Sequence, residues 1–198
     1  LNLGKYVKQN CVNTGQSYSS DPASRWILSR KERLVQDVTR SLDGLEYHKA
    51  MEAIAHFLLF DLSKTYVQCI RDDLDTESVQ KVLYDSYFTG ITLLAPFLPF
   101  ITEKINLDFF GKETIHLEMW PQVEEALMDT FLEEGMSVCL TVLQAIMAAM
   151  DKEKVNVRWP LEKAVIYITK ENSEIISKLE DFLPLLLKQA NLKNIQFV

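Results

Sequence analysis

The sequence predicts a mainly α-helical fold, a helical bundle followed by a small α+β unit with the order strand, helix, strand. Two patterns predict it. Apolar residues recur at helical spacing through the first 153 residues, in segments that Gly44, Pro96 and Pro99 divide. After Lys154, β-branched residues gather in one short run and again at the end of the chain. We therefore expect a helical domain over residues 1–153 and an α+β unit over residues 154–198.

The first long helix is expected between Asp21 and Gly44. Residues 2–13 are typical of the end of an earlier helix, and residues 13–20 form a polar linker. Asp accepts hydrogen bonds from the free amides of a first turn and Pro is tolerated at the first helical position, so Asp21-Pro22 predicts a helix start. A stripe at helical spacing is expected to be buried: Ile27, Leu34, Val38, Leu42 and Leu45.

Further helices are expected to complete the bundle. Residues 46–72 carry a broad apolar face, which predicts a central helix. A capping pattern at Thr76 predicts a helix over 76–94, and Pro96 and Pro99 end it because each removes a backbone donor. The next helix is expected over 101–110.

The C-terminal part begins with a long predicted helix over residues 123–152, which Gly135 is expected to bend. A β-rich run then predicts a strand over 161–169 and another over 195–198, with a helix over 172–189 between them. Two strands alone make a marginal sheet.

Composition limits the classes of function. Apolar residues make up 47% of the 198 residues, yet no apolar run reaches the roughly 18 needed to cross a bilayer, so no membrane partner is expected. The chain starts without methionine or a signal layout, which is typical of a fragment of a longer protein. Three scattered cysteines fit neither a disulfide framework nor a zinc site and predict reduced thiols in a cytoplasmic protein.

The charge distribution restricts any nucleic-acid surface to one part of the chain. The net charge of −7 opposes extensive phosphate binding, and no DNA partner is expected. Residues 1–40 nevertheless carry a net charge of +4, against −11 in residues 41–198. A further group of acidic residues is expected to form a solvated helix face away from phosphate: Glu118, Glu124, Glu125, Asp129, Glu133 and Glu134.

Residues for catalysis or for binding a metal or cofactor are not predicted. The six glycines form no phosphate-binding loop. His48 and His56 are eight residues apart on one predicted helix, but no third ligand or nucleophile is spaced to join them. We expect no catalytic residue, no metal site and no cofactor in this chain.

Six short segments, in this order, carry a resemblance to a known family. They are RWILSR at 25–30, YHKA at 47–50, DLSKTY at 61–66, LAPFLPFITE at 94–103, HLEMWP at 116–121 and VRWPL at 157–161. Together they resemble the helical anticodon-binding domain of class I aminoacyl-tRNA synthetases, in the branch that charges isoleucine, valine and leucine. The DLSK form at 61–64 and the VRWPL segment resemble the isoleucine enzymes of archaeal type, whereas Thr65 stands where that group usually has tryptophan.

The resemblance implies a tRNA partner, with isoleucine tRNA favoured and valine or leucine tRNA as alternatives. It also implies a parent ligase whose catalytic body, a second partner, binds ATP and Mg²⁺ outside this chain. The HIGH-like and KMSKS-like signatures of synthetase active sites are absent, so this chain is not expected to activate an amino acid. A helical protein-interaction module without RNA binding remains the alternative, and a basic groove with exposed aromatic residues would decide against it.

Candidate RNA contacts are basic, because Lys and Arg bind phosphates. Arg30, Arg33 and Arg40 are spaced to line one helical face, and Trp26 and Trp120 are expected to anchor the core rather than stack on bases. Residues 152–158 form a second basic spot. Within it, Arg158 is expected either to contact the RNA or to pair with an acidic residue of the preceding helix. The full set of candidates is Lys5, Lys8, Arg30, Lys31, Arg33, Arg40, Lys152, Lys154 and Arg158.

Overall fold

The computed structural model describes residues 4, 5, 7, 17–156, 158–167 and 174–198. Contacts divide the chain into two compact units, Leu1–Met128 and Asp129–Val198. Mainly helical structure with one small sheet among these described residues confirms the predicted fold class. The helix expected over 2–13 lies largely outside the described residues.

Helix α1, Pro22–Asp43, begins and ends where the sequence predicts. Asp21 Oδ1 accepts a hydrogen bond from the backbone N–H of Ser24 at 2.9 Å, and Pro22 occupies the first turn. Gly44 is the C-terminal cap. Ile27 and Val38 are fully buried, so one face of α1 belongs to the core of the first unit, but Leu45 is 70% exposed beyond the Gly44 cap and its predicted burial was wrong.

The predicted central helix is present, but it changes its hydrogen bonding midway. It consists of α2, Tyr47–His56, a π-helical segment, Phe57–Tyr66, and α3, Val67–Cys69. In a π-helix each N–H bonds the carbonyl five residues back, a rare geometry that is frequent at functional sites. Within Phe57–Tyr66 the residues that face the core and those that face solvent therefore do not follow the 3.6-residue period of an α-helix.

Two further helices close the first unit. Helix α4, Glu77–Leu94, follows Thr76 as predicted, although the Thr76 side chain makes no capping hydrogen bond. Helix α5, Pro99–Ile105, starts two residues before the predicted position because Pro99 is accommodated in the first turn. A short π-helical segment, Asn106–Phe110, continues it to Gly111, whose φ of 67° is the left-handed conformation that glycine adopts easily.

The helix predicted from residue 123 begins later. Residues 123–129 contain only a 3-10 turn, Glu125–Leu127, and helix α6 is Thr130–Lys152. Asp129 fixes this start, since its Oδ1 accepts from the Leu132 N–H at 3.0 Å. The six acidic residues therefore do not share a helix face, and the prediction of one such face was wrong.

The second unit packs α6 against the helices near the C-terminus. These are α7, Glu174–Leu179, a 3-10 turn, Glu180–Phe182, and α8, Leu183–Ala190. Helix α6 runs through Gly135 without interruption, and the glycine permits close approach: a Cβ there would lie 2.5 Å from the Lys178 carbonyl oxygen. The predicted boundary after residue 153 differs from the contact boundary after Met128 because α6 packs on α7 and α8.

The sheet is a parallel pair. Strand β1, Ala164–Ile166, is shorter than the predicted run and pairs with β2, Ile195–Phe197, with Ala164 opposite Ile195. Parallel strands need a crossover connection, and α7 and α8 lie within it. The predicted order of strand, helix and strand is therefore confirmed.

One helical stretch of the described residues, Glu125–Lys152, is long and apolar enough to cross a membrane by length and composition. Core helices of globular domains meet the same criteria. The expectation of no membrane partner stays a prediction.

Candidate nucleic-acid interface

Two of the sequence motifs meet between α1 and the π-helical segment. Arg30, at the end of RWILSR, donates from Nε to Asp61 Oδ2 at 3.1 Å. The hydroxyl groups of Ser24 and Tyr66 form a buried hydrogen bond of 2.8 Å nearby. These two contacts, between residues 31 and 42 positions apart in sequence, join α1 to the π-helical segment.

Asp61 also lies close to a second basic side chain. His56 Nδ1 is 3.6 Å from Asp61 Oδ1, and the Asp61 side chain is only 11% exposed. A carboxylate this enclosed is stabilised by opposite charges or hydrogen bonds at its oxygens. Asp61 therefore positions the Arg30 guanidinium and the His56 ring on the same part of the surface.

An aromatic ring is exposed beside this pair. Phe60 is 45% exposed, its ring centroid lies 5.2 Å from that of His56, and Lys64 Nζ sits 4.7 Å above it. This last contact is a cation–π interaction. We define the Phe60 cluster as Arg30, His56, Phe60, Asp61 and Lys64.

Sequence reasoning named only Arg30 from the Phe60 cluster as an RNA contact. Phe60 ends an apolar run, FLLF at 57–60, that is typical of core, and Phe57 is indeed buried while Phe60 is not. The available signal was the spacing of His56, Phe60 and Lys64, which places an imidazole, a ring and an ammonium on successive turns. That combination is typical of surfaces that bind single-stranded nucleic acid.

The other candidates of the first forty residues are in different environments. Lys31 is buried, and its Nζ lies 2.8 Å from Glu32 Oε1, so its ammonium is paired with a carboxylate inside the first unit. This pairing argues against Lys31 as a phosphate contact. Arg33 is half-buried, whereas Lys5 and Arg40 are exposed. Lys8 lies outside the described residues.

Arg40 and Arg30 do not act as equivalent members of one face. The Arg40 side chain is 72% exposed, and its Nη1 is 4.0 Å from Asp37 Oδ1 on the same helix. Arg30 is 30% exposed and bonded to Asp61. A surface pair like Arg40 and Asp37 contributes little to stability, so the Arg40 guanidinium is accessible to other anions.

The second basic spot lies in the second unit and is exposed. Lys152 ends α6, Lys154 has a left-handed backbone with φ of 55°, and Arg158 lies in the loop before β1. Asn191 Nδ2 donates to the Arg158 carbonyl oxygen at 3.0 Å and so fixes the loop rather than the guanidinium. Trp159, which sequence reasoning did not select, is 64% exposed beside Arg158.

The two tryptophans expected in the core differ in exposure. Trp26 is 4% exposed, which confirms its role as a core anchor. Trp120 is half-buried, and its Nε1–H donates to Thr39 Oγ1 at 2.9 Å. Trp120 therefore fastens the loop of HLEMWP to α1 and borders a cleft of about 320 Å³ that also contacts Arg40.

Comparison with known proteins bears on this surface. A family model for the anticodon-binding domain of tRNA ligases matches residues 24–166. The isoleucine–tRNA ligase of Methanosarcina mazei is 35% identical over 184 residues, which cover 86% of this chain and 17% of that protein. The isoleucine–tRNA ligase of Pyrococcus horikoshii is 33% identical over 183 residues, with 86% and 17% covered. That of Methanopyrus kandleri is 31% identical over 186 residues, with 88% and 17% covered.

Proposed function

Because the chain belongs to the family of anticodon-binding domains of tRNA ligases, we propose that it binds the anticodon arm of isoleucine tRNA. The observation that carries this proposal is the family match, which extends from the start of α1 through β1. It also confirms the resemblance seen in the six sequence motifs. The name isoleucine–tRNA ligase, shared by the relatives, supports isoleucine over valine or leucine tRNA.

The whole protein's activity is part of the proposal, since the chain spans 17% of the length of the curated relatives it matches. The parent protein would be an isoleucine–tRNA ligase of the cytoplasm, where translation takes place. Its catalytic body, with ATP and Mg²⁺, would lie outside these residues. This chain would position the tRNA for aminoacylation and would not activate an amino acid alone.

The surface chemistry of the first unit supports RNA binding. Loop bases, unlike paired ones, are free to stack on aromatic or guanidinium faces and to form hydrogen bonds along their edges. Exposed cations such as Arg40, Lys64 and Arg71 are able to hold phosphates and so set the register of the RNA. With a net charge of −7, few phosphate contacts are expected, and they should be local.

A titration of this chain against isoleucine, valine and leucine tRNAs at two salt concentrations tests the proposal. We expect the lowest Kd for isoleucine tRNA and weaker binding at the higher salt concentration. A DNA duplex of matched length serves as the control and should bind more weakly than any tRNA. Equal binding of the three tRNAs would contradict the choice of isoleucine, and no binding to any of them would contradict the function itself.

A protein-interaction surface is a second candidate function, and one observation favours it. Phe100 is 90% exposed, and Ile101 and Leu107 are 55% and 60% exposed on α5 and the π-helical segment after it. Exposed apolar side chains close in sequence on one helical element are the kind of surface that packs against another protein. These residues would pack against the catalytic body of the parent ligase.

A further inference from the structure

The Phe60 ring is placed on the surface by the π-helical segment that carries it. Phe57 and Leu62, in the same segment, are 1% and 0% exposed and fill the core, while Phe60 is 45% exposed. The Phe60 ring is therefore not one of the buried side chains that form the core of the first unit. An exposed aromatic ring beside basic groups is the combination on which unpaired bases stack in proteins that bind single-stranded nucleic acid.

The Lys64 ammonium favours an anion close to the Phe60 ring. Lys64 Nζ lies above the ring, and the ring of His56 lies 5.2 Å away on the same helix. The nearby carboxylate, Asp61, is held at 3.1 Å by Arg30 and is only 11% exposed, so its charge is compensated before any ligand binds. A phosphate next to Phe60 would therefore contact the Lys64 ammonium rather than an uncompensated carboxylate.

We propose that one unpaired base of the bound RNA stacks on the Phe60 ring and that Lys64 moves from the ring to the adjacent phosphate. This proposal rests on the proposed function and adds the residues of one contact to it. An exposed cation–π pair is weaker than the stacking of a base on an aromatic side chain, so the exchange is favourable. Lys64 is exposed and long, which lets its ammonium leave the ring without moving the helix.

The geometry fits RNA better than it fits a protein partner. A docked apolar side chain would bury the Lys64 ammonium, at a cost unless the partner supplied a carboxylate. A nucleotide supplies both a π face for the ring and a phosphate for the ammonium. Every base has such a face, so the contact adds affinity for an unpaired nucleotide and not a choice among bases.

The test uses two single variants, Phe60→Leu and Lys64→Gln, in the 198-residue chain with isoleucine tRNA as the probe. Phe60→Leu keeps an apolar side chain and removes the stacking face, and we expect Kd to rise about tenfold or more at both salt concentrations. Lys64→Gln removes one phosphate contact, and we expect a weaker complex and a slope of log K against log salt that is smaller by about 0.7 to 1. Phe60→Trp keeps a stacking face and should bind as the wild type or more tightly.

Phe100 and Lys104 form a matched control, since they have the same spacing and both are exposed on α5. Phe100→Leu and Lys104→Gln should leave Kd and the salt slope within about twofold of the wild type. Wild-type binding by Phe60→Leu and Lys64→Gln would overturn this inference while leaving the proposed function intact. An equal loss in the control variants would also overturn it, and a wild-type chain that binds no tRNA would remove both proposals.

Discussion

Asp61 shows how the family motifs act first within the chain. Its carboxylate holds Arg30 of RWILSR at 3.1 Å and lies 3.6 Å from His56. The RWILSR and DLSKTY segments, which are remote in sequence, are thereby joined to each other within the first unit. Asp61 therefore acts as a positioning group, and the exposed side chains beside it, Phe60 and Lys64, are the better candidates for RNA contact.

Glu103 gives a residue-scale prediction about pH. It ends the LAPFLPFITE segment, and its Oε2 accepts from the Ile115 N–H at 3.0 Å and from the Thr114 hydroxyl at 2.8 Å. The Ile115 N–H, followed by Thr114, lowers the pKa of the Glu103 carboxyl below its ordinary value. A carboxyl with a lowered folded-state pKa stabilises the fold above its unfolded-state pKa, about 4.3, and the stabilisation disappears as the pH falls through the folded-state value.

We therefore expect Glu103→Gln to unfold at a lower urea concentration than the wild type at pH 7. The difference between the two should shrink as the pH falls below about 4.3, because the wild-type carboxyl then becomes protonated. Glu113→Gln, an exposed change on the same connection, is the control and should have little effect at either pH. A Glu103→Gln difference that stays constant with pH would show that the charge on Glu103 does not stabilise the fold.

At the scale of elements, helix boundaries were predictable where the signal is local. Asp21 and Pro22 fix the start of α1, because a cap acceptor and a restricted φ act within one turn, and Gly44 is the cap at its end. The start of α6 was missed because Asp129 stands among other acidic residues, so its capping role was not distinct in sequence. The apolar residues before it also fit helical spacing.

The π-helical segment could not be predicted in the same way. Its hydrogen bonds depend on how Phe57–Tyr66 packs against α1 and α4, and no residue in it signals a change of period. This segment carries Phe60, so the exposure of a candidate site residue could not be predicted from the helical period of the apolar residues either. Because Phe60 follows three apolar residues, its immediate sequence context indicates core, and the wider spacing of His56, Phe60 and Lys64 was the sequence signal for an exposed position.

Gly135 gives a prediction about the packing of elements. Alanine in a helix is normally more stable than glycine by about 0.8–1 kcal/mol. At Gly135, however, a Cβ would lie 2.5 Å from the Lys178 carbonyl oxygen and 3.0 Å from the Phe182 ring. Because the closer of these atoms belongs to the backbone, the cost should lie in the upper part of the range of about 1–3 kcal/mol typical of overpacking. After the gain in helix propensity is subtracted, we expect Gly135→Ala to lower the free energy of unfolding by about 1–2 kcal/mol.

Urea unfolding followed by circular dichroism measures this effect. Gly44→Ala is the matched control, because its Cβ would meet no atom nearer than 3.4 Å and the φ of −81° suits alanine. The control should change the unfolding free energy by less than about 0.5 kcal/mol. A Gly135→Ala chain as stable as the wild type would show that α6 and α7 do not approach as closely as described.

At the scale of the whole molecule, an acidic chain is proposed to bind a polyanion. The net charge of −7 gives no general attraction to RNA, so affinity has to come from a few contacts of the right chemistry. The Phe60 cluster in the first unit has that chemistry, with a ring and cations side by side. In the second unit the predicted basic spot gains an exposed ring at Trp159. We therefore expect the affinity of this chain for tRNA to depend on unpaired bases more than on the number of phosphates.

The most direct measurement compares the Kd of this chain for isoleucine tRNA with its Kd for the same tRNA carrying a changed anticodon. Both are measured at one salt concentration, so that the phosphate contribution is equal. A domain that recognises the anticodon should bind the altered tRNA at least about tenfold more weakly, as expected for the loss of good base contacts. Equal affinity for the two tRNAs would contradict anticodon recognition by this chain.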